Sequence, residues 1–212
     1  MKKPLLVLVF TALIISCTSK PKEEAEIMPA PQETKITEEI KNTGAKEFWK
    51  NLKALCGKTF EGKLLNAPTN DDFAGKKLVM HLLSCDDKTI LIPFNVGDNL
   101  SRTWIFTYKK GRIELKHDHR MQDGTNDEVT MYGGTTTNSG MATMQMFPAD
   151  QETIEVIPAA FSNAWWVTID STAFTYNLHR MGTDRIFTVS FDLTKEIEKP
   201  APSWGWEDFR KE

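Results

Sequence analysis

The chain reads as an all-β protein, an antiparallel up-and-down barrel of about ten strands preceded by one short amphipathic helix. Three observations predict it. Ten short segments carry β-type patterning, at 58–66, 77–85, 88–95, 102–109, 112–120, 128–133, 141–147, 163–170, 172–180 and 185–193. Their connectors are short and carry turn residues, among them Asn70-Asp71-Asp72, Asp86-Asp87, Lys110-Gly111, Asp123-Gly124, Asn138-Ser139-Gly140 and Gly182-Thr183-Asp184. A sheet of that many strands tends to curl, and closing it removes the exposed edges. A two-sheet sandwich is the alternative arrangement.

The helix comes first. Phe48, Trp49, Leu52, Leu55 and Cys56 recur at near-helical spacing with lysines opposite, and Gly57 offers a left-handed stop. Along the strands, alternation marks one buried face. Trp104, Phe106 and Tyr108 form an apolar row that Arg102 precedes. Phe174, Tyr176 and Leu178 form another, with Arg180 next in line, and Phe187, Val189, Phe191 and Leu193 form a third. In 112–120, Ile113, Leu115, His117 and His119 share the core face. Arg112, Glu114, Lys116, Asp118 and Arg120 share the opposite one, which the charge pattern assigns to water. Gly133-Gly134, followed by three threonines, reads as a hairpin turn. Asp150 to Pro158 reads as a short helical turn, and Pro200 to Trp206 as a non-strand tail whose tryptophans lie against the barrel or engage a partner.

Before the helix, Lys2 and Lys3 precede an apolar run from Leu5 to Ile15, too short to span a membrane as a helix. Ile14-Ile15-Ser16-Cys17 resembles a bacterial lipobox, which implies cleavage before Cys17 and lipid attachment to it. An ordinary cleaved signal is the competing reading. Residues 17–37 are rich in Lys, Glu, Pro and Ala, a composition unable to offset its ordering entropy, and read as a flexible tether spanning about 25 Å. The charged Lys22-Glu23-Glu24 resembles export tags of some Bacteroidetes surface lipoproteins. The expected organisation is therefore 1–16 signal peptide, 17–37 tether, 38–199 barrel and 200–212 tail, in a bacterial cell envelope. Removing Lys2 and Lys3 takes the formal charge from −3 to −5, an acidic balance that argues against a nucleic-acid partner. Cys56 and Cys85 remain as an even pair outside the cytoplasm, which predicts a disulfide, with two buried thiols as the alternative.

Leu55-Cys56-Gly57-Lys58-Thr59-Phe60-Glu61-Gly62 resembles the motif that opens the first strand of calycin barrels, the group of the lipocalins, the fatty-acid-binding proteins and the nitrobindin-like haem barrels. Phe60 stands where that group favours Trp. Ala54-Leu-Cys-Gly57, Ser101-Arg-Thr-Trp104, Leu115-Lys-His-Asp-His-Arg120, Asp123-Gly124 and Met131-Tyr-Gly-Gly134 resemble an uncharacterised family of exported bacterial proteins, which implies no activity. The nitrobindin-like resemblance would place a haem-ligating His in the last strand. Residues 185–193 contain none, so haem is not expected.

Two inward imidazoles require partners, and four readings compete for them. The preferred one is an anion pocket. Arg102 and Arg180, each ending an apolar row, would fix the polar head of an amphipathic ligand together with His117, His119 and Asp123, with Trp104 among the walls. Rim ion pairs for the two arginines are the structural alternative. A divalent metal on His117 and His119 is the second reading, with Asp123 or Asp127 supplying oxygen. Its structural alternative is that carboxylates and backbone satisfy both rings in a network at the barrel mouth. His81 and His179 are too distant in sequence to be assigned to it. The third is an interaction protein with a filled barrel, engaging an envelope partner through the tail. Catalysis is the fourth and the least supported: no nucleophile elbow or phosphate-cradling glycine loop is present, leaving only a hydrolytic pairing of His117 with Asp123. The expected function is ligand binding by a lipid-anchored barrel, without a resident cofactor.

Overall fold

The computed structural model describes residues 38–69 and 71–208, so the expected signal peptide, Cys17 and the tether lie outside the described residues. One helix, α1 (Glu38–Lys53), leads into the strands β1 (Thr59–Asn66), β2 (Leu78–His81), β3 (Ser84–Cys85), β4 (Thr89–Val96), β5 (Asn99–Lys109), β6 (Arg112–His119), β7 (Tyr132–Thr135) and β8 (Met144–Pro148). A short helix, α2 (Gln151–Val156), and a 3-10 turn at Pro158–Ala160 follow. The chain ends with β9 (Asn163–Ile169), β10 (Ala173–Arg180) and β11 (Ile186–Glu196).

The strands pair antiparallel in the order β7-β6-β5-β4-β2-β1-β11-β10-β9-β8, with β3 attached to β4 alone. Each wall strand thus lies beside its neighbour in sequence, and the last returns to the first. This is an up-and-down barrel, nearly closed. Its seam lies between β7 and β8, where no ladder forms. There the Asp150 N–H donates to the Gly133 carbonyl (3.0 Å). Thr153 Oγ1 takes the Gly133 N–H (2.6 Å) and donates to the Gly133 carbonyl (2.8 Å). The Asp150 side chain caps α2 by accepting from the Thr153 N–H (2.9 Å), which fixes the seam residues in turn.

Two local expectations fail at this seam. The segment expected as strand 128–133 enters the sheet only at Tyr132, and Gly133-Gly134 lies inside β7 instead of forming a hairpin turn. The glycines serve close approach: a β-carbon at Gly134 would collide with the Pro148 carbonyl, and one at Gly133 with that of Leu115. Elsewhere the turn chemistry holds. Lys110 (φ 52°) and Gly111 (φ 74°) are both left-handed, as a two-residue hairpin between β5 and β6 requires. That turn fixes the register that pairs Trp104 with His117 and Arg102 with His119.

Helix α1 closes one end of the barrel. Ala45, Phe48 and Leu52 are fully buried, and Trp49 packs on Tyr108 with ring centroids 5.6 Å apart. The Cys56–Cys85 disulfide forms as expected and ties the segment after α1 to β3, with Cα atoms 5.9 Å apart. Above the helix the interior is filled by aromatic rings. Trp104 stacks on Phe94 (4.6 Å) and on Tyr176 (4.4 Å). In the strand order, β5 and β10 lie on opposite walls, so Trp104 and Tyr176 meet across the lumen and cover the filled half.

The charged face of β6 points outward as its alternation predicts, but part of it is not in water. Lys116 and Asp118 are buried, because other parts of the chain cover the wall there. Lys116 Nζ donates to Asp150 and Glu152, each at 2.6 Å. Burial, the largest single influence, lowers the Lys116 pKa, but the hydrogen bonds and the negative charges of Asp150 and Glu152 together outweigh it and raise the pKa. Asp118 accepts from Arg120 Nε (2.8 Å) and Trp206 Nε1 (3.0 Å). Trp206 belongs to the tail, which packs along the outer wall. Ser203 Oγ donates to Asn95 Oδ1 (3.1 Å), the Trp204 N–H reaches the Leu100 carbonyl (3.1 Å), and the Arg120 guanidinium lies 4.8 Å from the Trp206 ring centroid. Alternation gives the direction of a side chain. It carries no information about what a distant segment lays over it.

Candidate functional site

The end of the barrel opposite α1 holds a cavity of about 270 Å³. Arg102, His119 and Tyr132 border it from β5, β6 and β7, and Trp165, Tyr176 and Arg180 from β9 and β10. Asp71 and Phe73, in the β1–β2 connection, and Arg185, before β11, complete the charged and aromatic boundary. The apolar rows stop here and their terminal arginines project into the opening, as the sequence pattern anticipates.

Beneath the cavity, His117 is fixed at both ring nitrogens. Its Nδ1 lies 2.9 Å from the Tyr132 carbonyl, which can only accept, so Nδ1 carries the proton. Its Nε2 then accepts from the Tyr176 hydroxyl at 2.6 Å. Desolvation by burial holds its pKa down to about 3, against the opposing hydrogen bond to Tyr132. The ring also stacks on Tyr132 at 4.6 Å. His119 is partly open to the cavity, with Nε2 3.1 Å from the Tyr132 hydroxyl. Burial first, and then the Arg102 charge, lower its pKa to about 4. Burial pushes the Tyr132 phenol up to about 12 and that of Tyr176 well above its ordinary value. Near neutral pH these four groups are uncharged.

The positive charge therefore rests on arginine. Arg102 lies 5.2 Å above the Phe73 ring and donates to Asn99 Oδ1 (3.0 Å), and burial lowers its pKa. Arg180 Nε donates to Asn163 Oδ1 (3.0 Å). Among the described residues, neither of these arginines nor Arg185 forms an ion pair with a carboxylate. Asp71 borders the cavity with Oδ1 accepting from the Phe73 N–H (2.9 Å). Asp72 and Asp127 act on Arg102 only at longer range.

The expected constellation forms in part. Arg102, His119 and Arg180 meet at one cavity. His117 and Trp104 lie one layer deeper, in contact with its Tyr176 floor. Asp123 does not join them. It is exposed and accepts from the N–H (3.0 Å) and hydroxyl (2.6 Å) of Thr125, because the chain turns outward after Arg120. Asp71 from the β1–β2 connection supplies the carboxylate instead. His117 has no free nitrogen for a metal, and among the described residues no three His, Cys, Asp or Glu side chains converge on one point. His81 pairs with Thr59 (2.9 Å) near the tail, and His179 Nε2 donates to the Thr183 carbonyl (3.1 Å).

Tyr132, Trp165, Phe73 and Arg185 are additions to the expected site. Trp165 shares an alternating row with Val167 and Ile169, a usable signal. Phe73 sits in a connection, where alternation says nothing. A larger depression of about 610 Å³ lies on the outer wall near the β5–β6 turn, but only polar side chains line it: Thr107, Lys109, Lys110, Arg112, Glu114 and Thr135. Its apolar surface comes from the stems of these side chains, with no aromatic ring or aliphatic side chain among them. No protein-family model, curated protein or solved structure matches the chain.

Proposed function

We propose that this protein binds a small anionic, amphipathic molecule in the cavity at the open end of its barrel. The observation that carries the reading is the set of three arginines, Arg102, Arg180 and Arg185, bordering an aromatic cup with no carboxylate in ion-pair contact among the described residues. Arg102 and Arg180 are half-buried and have lost part of their hydration, whereas Arg185 is exposed at the rim. An anion restores what the first two have lost through planar, charge-assisted hydrogen bonds. Phe73, Trp165, Leu178 and Phe187 supply apolar wall for the rest of the molecule. Binding is therefore directional, head toward the arginines and body on the rings. The sequence motifs add an address: the protein acts at a bacterial cell envelope, held by lipid on Cys17.

Native mass spectrometry of the protein purified from its host, paired with calorimetric titration of octanoate, tests the binding. A co-purified anionic adduct, or octanoate binding that Arg102→Gln with Arg180→Gln abolishes, is the expected result. A bare chain mass together with no octanoate binding would overturn it. Metabolic labelling with a fatty-acid probe tests the address: wild type should be tagged and Cys17→Ala should not.

A further inference from the structure

The three arginines are not one cluster. Arg102 stands on β5, whereas Arg180 ends β10 and Arg185 precedes β11. The wall order from β7 to β8 puts five steps between β5 and β10 in a ring of ten, so the two groups face each other across the opening. Contacts across the lumen agree with this, since Trp104 on β5 stacks on Tyr176 on β10. The aromatic side chains of Tyr132, Trp165 and Tyr176 line the cavity between the two basic walls. His119, beside Arg102, is neutral and can donate or accept at that wall.

From this arrangement we infer that the ligand is a two-ended anion: a flat, apolar centre with an anionic group at each end, one held by Arg102 beside His119 and the other by Arg180 and Arg185. The inference rests on the binding reading above and narrows its ligand class. A monoanion would satisfy one wall and leave the opposite guanidinium group with only its neutral amide acceptor, Asn99 or Asn163, and no anionic partner. The charges bordering the cavity favour the same answer, because among the described lining residues three guanidinium groups stand against one carboxylate, Asp71, with Asp72 and Asp127 acting on Arg102 from farther away. Size sets the limit. A volume of 270 Å³ corresponds to a sphere about 8 Å across, enough for one aromatic ring with a carboxylate at each end and too small for a long acyl chain lying within it. The filled aromatic layer below blocks deeper entry, so the ligand lies across the opening and not along the barrel axis.

Calorimetric titration of the full mature chain with terephthalate, benzoate and octanoate tests this. Terephthalate is expected to bind about tenfold more tightly than benzoate or better, the increment of one additional arginine–carboxylate contact. Arg102→Gln and Arg180→Gln should each reduce terephthalate to the affinity of benzoate, while urea midpoints verify that both variants fold. Equal affinities for terephthalate and benzoate would overturn the two-ended ligand and leave anion binding intact. Failure of all three anions to bind would overturn both. If only one of the two variants weakened terephthalate, the opposed-wall assignment would be wrong.

Discussion

Acidification should unfold this protein through its buried imidazoles before its carboxylates titrate. His117 is neutral in the fold, donating to Tyr132 and accepting from Tyr176, with a folded pKa of about 3. Its unfolded value is about 6.5. Because the folded value is the lower one, the stabilisation is fully present above the unfolded pKa and is lost as pH falls through the interval toward the folded value. Within that interval the unfolded chain holds one more proton at this site, and stability declines by about 1.4 kcal/mol per pH unit. From neutral pH to pH 5, His117 alone removes about 2 kcal/mol, a large share of a typical domain's stability. His119, with a folded pKa of about 4, and His81, lowered by burial, add losses of the same sign. Urea denaturation across this range measures the effect, and His117→Gln should flatten the profile by about one proton equivalent. A wild-type stability that stays constant between pH 6.5 and 5 would refute the neutral, doubly bonded imidazole.

Other contacts can be tested singly. Tyr176→Phe removes the donor to His117 Nε2 and leaves a buried acceptor unpaired; urea denaturation should register a loss of about 1–3 kcal/mol. Replacing Cys56 and Cys85 by serine releases a chain separation of 29 residues and should cost about 3–4 kcal/mol by the same measurement, with a peptide map linking the two cysteines only in wild type. Gly134→Ala pushes a methyl group into the Pro148 carbonyl at the seam. A loss of about 1–3 kcal/mol is expected, with faster amide exchange in β7 and β8 than in β4 and β5. Trp206→Ala should weaken binding of the tail and leave octanoate affinity unchanged, because Trp206 contacts the outer wall and not the cavity.

Much of the wall was legible because its signals are local. Period-two alternation and the Lys110-Gly111 turn fix the β5–β6 hairpin, and with it the adjacency of Arg102 and His119. The row from Phe174 to Arg180 was readable for the same reason, since a strand carries every second side chain to one face. What escaped depends on contacts between segments distant in sequence. Nothing near Asp118 announces that Trp206 will cover it, and nothing near Lys116 announces Asp150 and Glu152. Gly133-Gly134 has turn composition, yet it is required because β8 approaches closely. Asp123 follows His119 closely in sequence, but its Asx-type bonds to Thr125 curl it into its own turn. Phe73 and Asp71 reach the cavity from a connection whose path no periodicity specifies.

The arginine Nε–Hε resonances provide the most direct test of anion binding at the barrel opening. Proton–nitrogen spectra recorded while terephthalate is added should move the signals of Arg102 and Arg180 together, saturating along one binding curve. Arg112, on the outer wall beside the larger polar depression, should stay in place. Shifts confined to Arg112, or no saturable shift at Arg102 and Arg180, would contradict the assignment of the cavity as the binding site.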